Sequence, residues 1–164
     1  MLVLGIDPGT ATTGYGLVRD KEDGSLEAVD YGVISTSSRL PMAHRLLELH
    51  EQLLKIILLH HPHSGAVEKL FFQRNVRTAL SVGQARGIAL LCMAEAGVNV
   101  TEYTPLEVKQ AVTSHGGADK NQVQQMVKAL LNLTKIPQPD DAADALAIAI
   151  CHLHSVTLAR VMDQ

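Results

Sequence analysis

The chain has 164 residues, 46% hydrophobic, 3% aromatic with no Trp, and 19% charged, with a net charge of −3. That length supports one domain around one aliphatic core, excludes a large two-domain enzyme, and the composition excludes intrinsic disorder. Net acidity argues against nucleic acid as a partner of the chain as a whole, so a phosphate-binding face must come from a local grouping of Lys and Arg.

The N-terminus, MLVLGIDPG, lacks the basic start and small-residue cleavage site of a signal peptide. Charge breaks the apolar stretches before they reach a membrane-spanning length. Leu2 to Ile6 reads as a buried strand stopped by the turn at Asp7-Pro8-Gly9. Gly14 to Arg19 and Leu26 to Ser35 read as two more strands, with the Gly24-containing turn between them. Together they predict an antiparallel meander.

From Pro41 to about His60 the spacing turns helical, with Leu46, Leu47, Leu49, Leu53, Leu54, Ile57 and Leu58 recurring. His61-Pro62 ends that helix. Ser64 to Glu68 is a short strand. About Asn75 to Ala96 is a second helix, with Val76, Ala79, Leu80, Gly83, Ile88 and Leu91 on its apolar side and Gly97 as its stop. Val98 to Tyr103 is a fifth strand, and Thr104-Pro105 caps a helix running to Thr113. A loop holding Gly116-Gly117 precedes an amphipathic helix marked by Val123, Met126, Val127, Leu130 and Leu131. Asp140 opens a final helix to about Ser155. The order β-β-β-α-β-α-β-α-α-α implies one mixed sheet with helices packed on it.

Four acids draw attention. Asp7 ends the first strand, Glu68 ends the fourth, and Asp141 and Asp144 lie three apart on the last helix, hence on one face. Strands one and four as neighbours, with the last helix beside them, would bring all four together. Such a cluster raises the pKa of its members unless a cation compensates, and oxygen ligands select Mg²⁺ or Mn²⁺. Two such ions could clamp the attacking and leaving oxygens of a phosphodiester. A structural role is also open to each acid: Asp7 as a turn residue, Asp140 or Asp141 as a helix cap, Asp144 as a complement to the helix dipole. Cys92 and Cys151 sit in apolar helical patterns without metal-ligand spacing. They read as buried reduced thiols, which favours a cytoplasmic address. His60, His61 and His63 flank a proline and read as solvated loop.

The segments GIDPGTATTGYGLV (5–18), VEKLFFQRNVRTALSVGQARG (67–87), VKQAV (108–112), ADKNQVQQMV (118–127) and DAADALAIAICH (141–152) resemble the RuvC family of Holliday-junction resolvases, in order along almost the whole chain. The resemblance implies an α/β, ribonuclease H-like fold: a five-stranded mixed sheet with helices on both faces. It would form a single nuclease domain over 1–157 with a frayed tail at 158–164. It implies that Asp7, Glu68, Asp141 and Asp144 are the catalytic, metal-binding acids, with Asp141 chosen over its neighbour Asp140 by its spacing to Asp144. It further implies Mg²⁺, with Mn²⁺ as substitute and two ions per site, and symmetric paired nicking of a four-way junction by a homodimer in DNA recombination and repair. RuvA and RuvB are the implied branch-migration partners.

The implied DNA contacts are Lys69, Arg74, Arg77, Lys109 and Lys120, with Phe71 stacking on junction bases. Arg86 extends the basic group. Each cation is equally readable as a solvated surface charge. The helix near 75–96 is a candidate dimer face, where Gly83 and Gly87 permit close approach either of a partner helix or of the chain's own sheet. Three alternatives stand beside this reading. One is a nuclease of the same fold acting on another structured nucleic acid. Another is a junction binder without catalysis. The third is a nucleotide-binding domain of the actin–hexokinase kind, suggested by GIDPGTATTGYG but lacking a second lobe.

Overall fold

A computed structural model of the chain describes residues 1–69 and 76–162. Five strands and five helices follow one another as β1 (Leu2–Asp7), β2 (Thr12–Asp20), β3 (Leu26–Ser35), α1 (Met42–His60), β4 (Ser64–Glu68), α2 (Val76–Glu95), β5 (Val100–Tyr103), α3 (Pro105–Thr113), α4 (Lys120–Leu130) and α5 (Asp140–Met162). The sheet order is β3-β2-β1-β4-β5. β1 is antiparallel to β2 and parallel to β4, and β4 is parallel to β5. A meander therefore feeds a parallel half through helical crossovers, the connection parallel strands require.

Alternation along β1 divides the core in two. Val3 packs with Ala66 and the residues of α3, α4 and α5. Leu2, Leu4 and Ile6 pack with Val67 and the inner sides of α1 and α2. Helices thus cover both faces. α5 lies at the centre of its layer, with Leu146, Ile150 and Leu153 almost wholly buried. Each such side chain contributes roughly 1.5–3 kcal/mol of burial. Its first twenty residues are long and apolar enough to cross a membrane, contrary to the sequence expectation. Packing against the sheet shows instead a core helix, continuously buried from Ala145 to Leu153 and hydrophobic on every side over that stretch. α5 also runs to Met162, beyond the expected end near Ser155 and through most of the segment expected to fray.

On α1, Leu49, Leu53 and Ile57 face inward at spacings of four, while Leu47 and Leu58 face outward. α2 departs further from expectation. Its buried face is Ala85, Ala89, Cys92 and Met93, whereas Leu80 is 65% and Leu91 47% exposed. Ala85, Ala89 and Cys92 are small enough to let α2 lie close to α1, Met93 reaches the sheet at Gly65, and Leu80 and Leu91 are left on the outer side.

Candidate active site

Asp7 is the last residue of β1 and lies two positions beyond Gly5, on the α5 face. Ile6 pairs with Val67 in parallel register, so Glu68, the last residue of β4, emerges beside Asp7. α5 supplies Asp141 and Asp144 from its first turns. Its N-terminal end can rest directly on β2 because Gly14, the register partner of Asp7, has no side chain. A Cβ at Gly14 would collide with the Asp141 carbonyl oxygen.

Two lysines complete the arrangement. α3 begins with a capping box between Thr104 and Glu107 and carries Lys109 one turn on. α4 begins with a second capping box between Asp119 and Gln122, which fixes Lys120 as its first residue. Asp7, Glu68, Asp144, Lys109 and Lys120 line one cavity of about 280 Å³. Pro105, Val108, Val123, Ala147 and Ile148 form its apolar wall. The sequence reading did not single out this wall, because such residues read as ordinary core in any helix.

The charges are unbalanced. Burial, then Asp144, Glu68 and Asp141, push the Asp7 carboxyl up to about 7. Burial and Asp144 raise Glu68, with Lys109 opposing. Burial raises Asp144, although Lys120 pulls the other way. Lys120 Nζ stands 3.2 Å from both Asp140 Oδ2 and Asp144 Oδ2. Asp140 also accepts a 3.0 Å hydrogen bond from Gln124 Nε2 and is held below the usual carboxylate range by Lys120 and Gln124. Asp140 is thus committed to the protein, while Asp141 adds its charge to the field at Asp7 and Asp144. Lys109 and Lys120 together do not neutralise the five carboxylates of Asp7, Glu68, Asp140, Asp141 and Asp144. All-oxygen donors carrying excess negative charge fit a hard divalent cation, which Asp7, Glu68, Asp141 and Asp144 could hold.

The remaining expected contacts fall differently. Lys69 is exposed and donates its backbone N–H to the Tyr103 carbonyl oxygen, just past the end of β4. Phe71, Arg74 and the side chain of Arg77 lie outside the described residues. Arg86 is half-buried and ion-paired with Glu102 on β5, so it is not a free DNA-binding cation. His60 and His63 are not idle loop residues either. His60 Nε2 is 3.3 Å from Asp30, and His63 Nδ1 accepts from the Leu2 N–H at 3.0 Å. Acidic residues gather far from the cavity. Asp20, Glu22, Asp23 and Glu27 cluster with Arg19 and Lys21 at the β2–β3 turn, and the pairing of Leu2 with Arg19 puts that turn at the opposite end of β1 from Asp7.

This sheet order, with acids converging from the ends of β1 and β4 and the start of α5, defines a nuclease of the ribonuclease H-like class. A family model described as crossover junction endodeoxyribonuclease RuvC matches residues 3–152, and the chain belongs to the RuvC family. A crossover junction endodeoxyribonuclease RuvC from Desulfitobacterium hafniense is 59% identical over 158 residues, covering 96% of this chain and 95% of the relative. The structure of Thermus thermophilus RuvC superposes with a TM-score of 0.91 at 38% identity, covering 97% of each chain. T. thermophilus RuvC in complex with Holliday junction substrate superposes with a TM-score of 0.88 at 35% identity, covering 96% of each. Family membership sets aside the actin–hexokinase alternative.

Proposed function

We propose that this chain resolves Holliday junctions, hydrolysing one phosphodiester in each of two strands as a homodimer, in recombination and DNA repair. The observation that carries this reading is the cavity where Asp7, Glu68 and Asp144 meet beneath Lys109 and Lys120. Asp141 completes the acidic set. Divalent ions at these acids, Mg²⁺ or Mn²⁺ and two by the donor count, would supply Lewis-acid activation of water and of the leaving oxygen.

The chain's own residues do the rest. Lys109 and Lys120 set ammonium groups on the wall where a phosphate enters, and they stabilise the charge that grows on it. The apolar wall restricts water and strengthens those interactions. Lys69 lies at the same end of the sheet and extends the basic margin. Phe71, Arg74 and Arg77 follow it in sequence and are proposed as further DNA contacts. The outward stripe of α2 supports a twofold partner. Leu80 and Leu91 are exposed there, and a Cβ at Gly87 would meet nothing within 4 Å. Packing on the chain's own sheet therefore does not explain Gly87. RuvA and RuvB are the proposed partners in branch migration. A cytoplasmic address agrees with two buried, unpaired cysteines.

Incubation with a synthetic four-way junction and Mg²⁺ tests the reading. Paired nicks at symmetric positions are expected, and none without divalent metal. Binding without nicking under all metal conditions would leave only a junction-binding protein.

A further inference from the structure

A second group of ligand-type side chains lies on the other face of the sheet. His50 projects from α1, and Cys92 and Glu95, three residues apart on one side of α2, project toward it. One ring nitrogen, the thiol sulfur and one carboxylate oxygen all lie within 4.8 Å of one another. We propose that His50, Cys92 and Glu95 form a site for a thiophilic divalent cation, Zn²⁺ by its donor set, which clips α1 to α2. The proposal does not rest on the junction-cutting reading.

The geometry needs little change. Tetrahedral Zn²⁺ with bonds of roughly 2.0–2.3 Å sets its ligand atoms roughly 3.3–3.6 Å apart. His50 Nε2 and Glu95 Oε2 are already 2.8 Å apart and would open slightly. Cys92 Sγ donates to the His50 carbonyl oxygen at 3.6 Å, so the thiol already points at α1. Cys92 is fully buried, but the His50 and Glu95 side chains are 24% and 43% exposed. That open side admits the ion and a water as fourth ligand, the three-plus-one pattern of many zinc sites.

The donor set is selective. A thiolate and an imidazole favour Zn²⁺ over Mg²⁺, whereas the all-carboxylate cavity favours the reverse. One chain would thus sort two kinds of metal onto two faces of its sheet. Burial, then Glu95, push the Cys92 thiol up to about 11, so it is neutral before metal arrives. On binding, the S–H bond breaks, its proton leaves to solvent, and a metal–sulfur bond forms. His50 coordinates as neutral imidazole.

The test uses the full-length chain stripped with chelator and held in saturating Mg²⁺. One equivalent of Zn²⁺ per chain is expected, with a rise in melting temperature. Co²⁺ in its place should give thiolate-to-cobalt charge-transfer absorption, which oxygen ligation at the acids cannot produce. Cys92→Ser should abolish that absorption, and His50→Ala should weaken Zn²⁺ by at least about tenfold. His50→Ala and Glu95→Gln, at the exposed positions, carry the same readouts where Cys92→Ser fails to fold. Absence of the thiolate absorption, its persistence in Cys92→Ser, or Zn²⁺ uptake lost in Asp7→Asn instead would overturn the proposal.

Discussion

Gly14 pairs with Asp7 across β1 and β2, and the Asp141 backbone occupies the space a side chain at Gly14 would take. The register of a hairpin and the seat of a distant helix are thereby joined at one residue. Gly14→Val should push the start of α5 off the sheet. We expect about 1–3 kcal/mol of lost stability by urea unfolding. Nicking should fall further than stability alone explains, because Asp141 and Asp144 move with the helix. Unchanged nicking at saturating metal would show that the placement of α5 is not critical.

Asp7→Asn keeps the shape of the carboxyl and removes its charge. Junction binding should persist by gel shift while nicking falls by about 10³-fold or more, the equivalent of several kcal/mol of lost metal stabilisation. Glu68→Gln and Asp144→Asn should behave alike. A variant that still nicks at the native rate would remove its acid from the catalytic set.

The metal-free protein should lose stability as pH rises. Asp7 titrates near its ordinary 3.8 when unfolded and at about 7 when folded. Below both values it is protonated in either state and contributes no difference. Between them the folded state holds the extra proton, so stability declines with increasing pH across that window. The decline amounts to up to about 4 kcal/mol from this group. Glu68 and Asp144 are shifted in the same direction. Urea unfolding in chelator at about pH 5 and about pH 7.5 measures the difference. Asp7→Asn should flatten it, and Mg²⁺ should restore the loss at the higher pH. A stability that rises between these values would contradict the assignment.

Lys120→Ala should weaken junction binding and reduce the slope of log affinity against log salt by about one unit, as for one lost phosphate contact. It also strips Asp140 and Asp144 of their shared cation. Less metal should then be needed for half-maximal nicking, because Lys120 no longer competes with the ion for Asp144. The salt slope decides whether Lys120 meets DNA.

A buried polar network ties α5 to β4 and β5. His152 Nδ1 is 2.8 Å from the Tyr103 hydroxyl, and His152 Nε2 is 2.9 Å from Ser64 Oγ. Burial lowers the His152 pKa, so the ring is neutral, with one nitrogen donating and the other accepting. Tyr103→Phe leaves one ring nitrogen unpaired and should cost about 1–3 kcal/mol by thermal or urea unfolding. Nicking below the melting range should hardly change.

Periodicity made the order of all ten elements legible, because alternation in β1 and four-residue spacing in α1 are local signals. It failed on α2, where the larger apolar residues suggested the inner face. The structure buries Ala85, Ala89, Cys92 and Met93 there, because α2 packs closely on α1, where small size counts for more than hydrophobicity. Asp7 and Glu68 could be found as acids ending apolar runs, and Asp144 by its offset from Asp141. Their convergence could be stated only as a condition, that β1 lie beside β4, which periodicity cannot decide and the sheet order meets. His50, Cys92 and Glu95 were invisible for the same reason: two helices separated in sequence supply the ligands.

α5 fills the middle of the interior and also brings the last two acids to Asp7 and Glu68. Synthesis therefore leaves this acidic cavity incomplete until α5 has been made and docked. A nascent or partly unfolded molecule lacks that arrangement of acids.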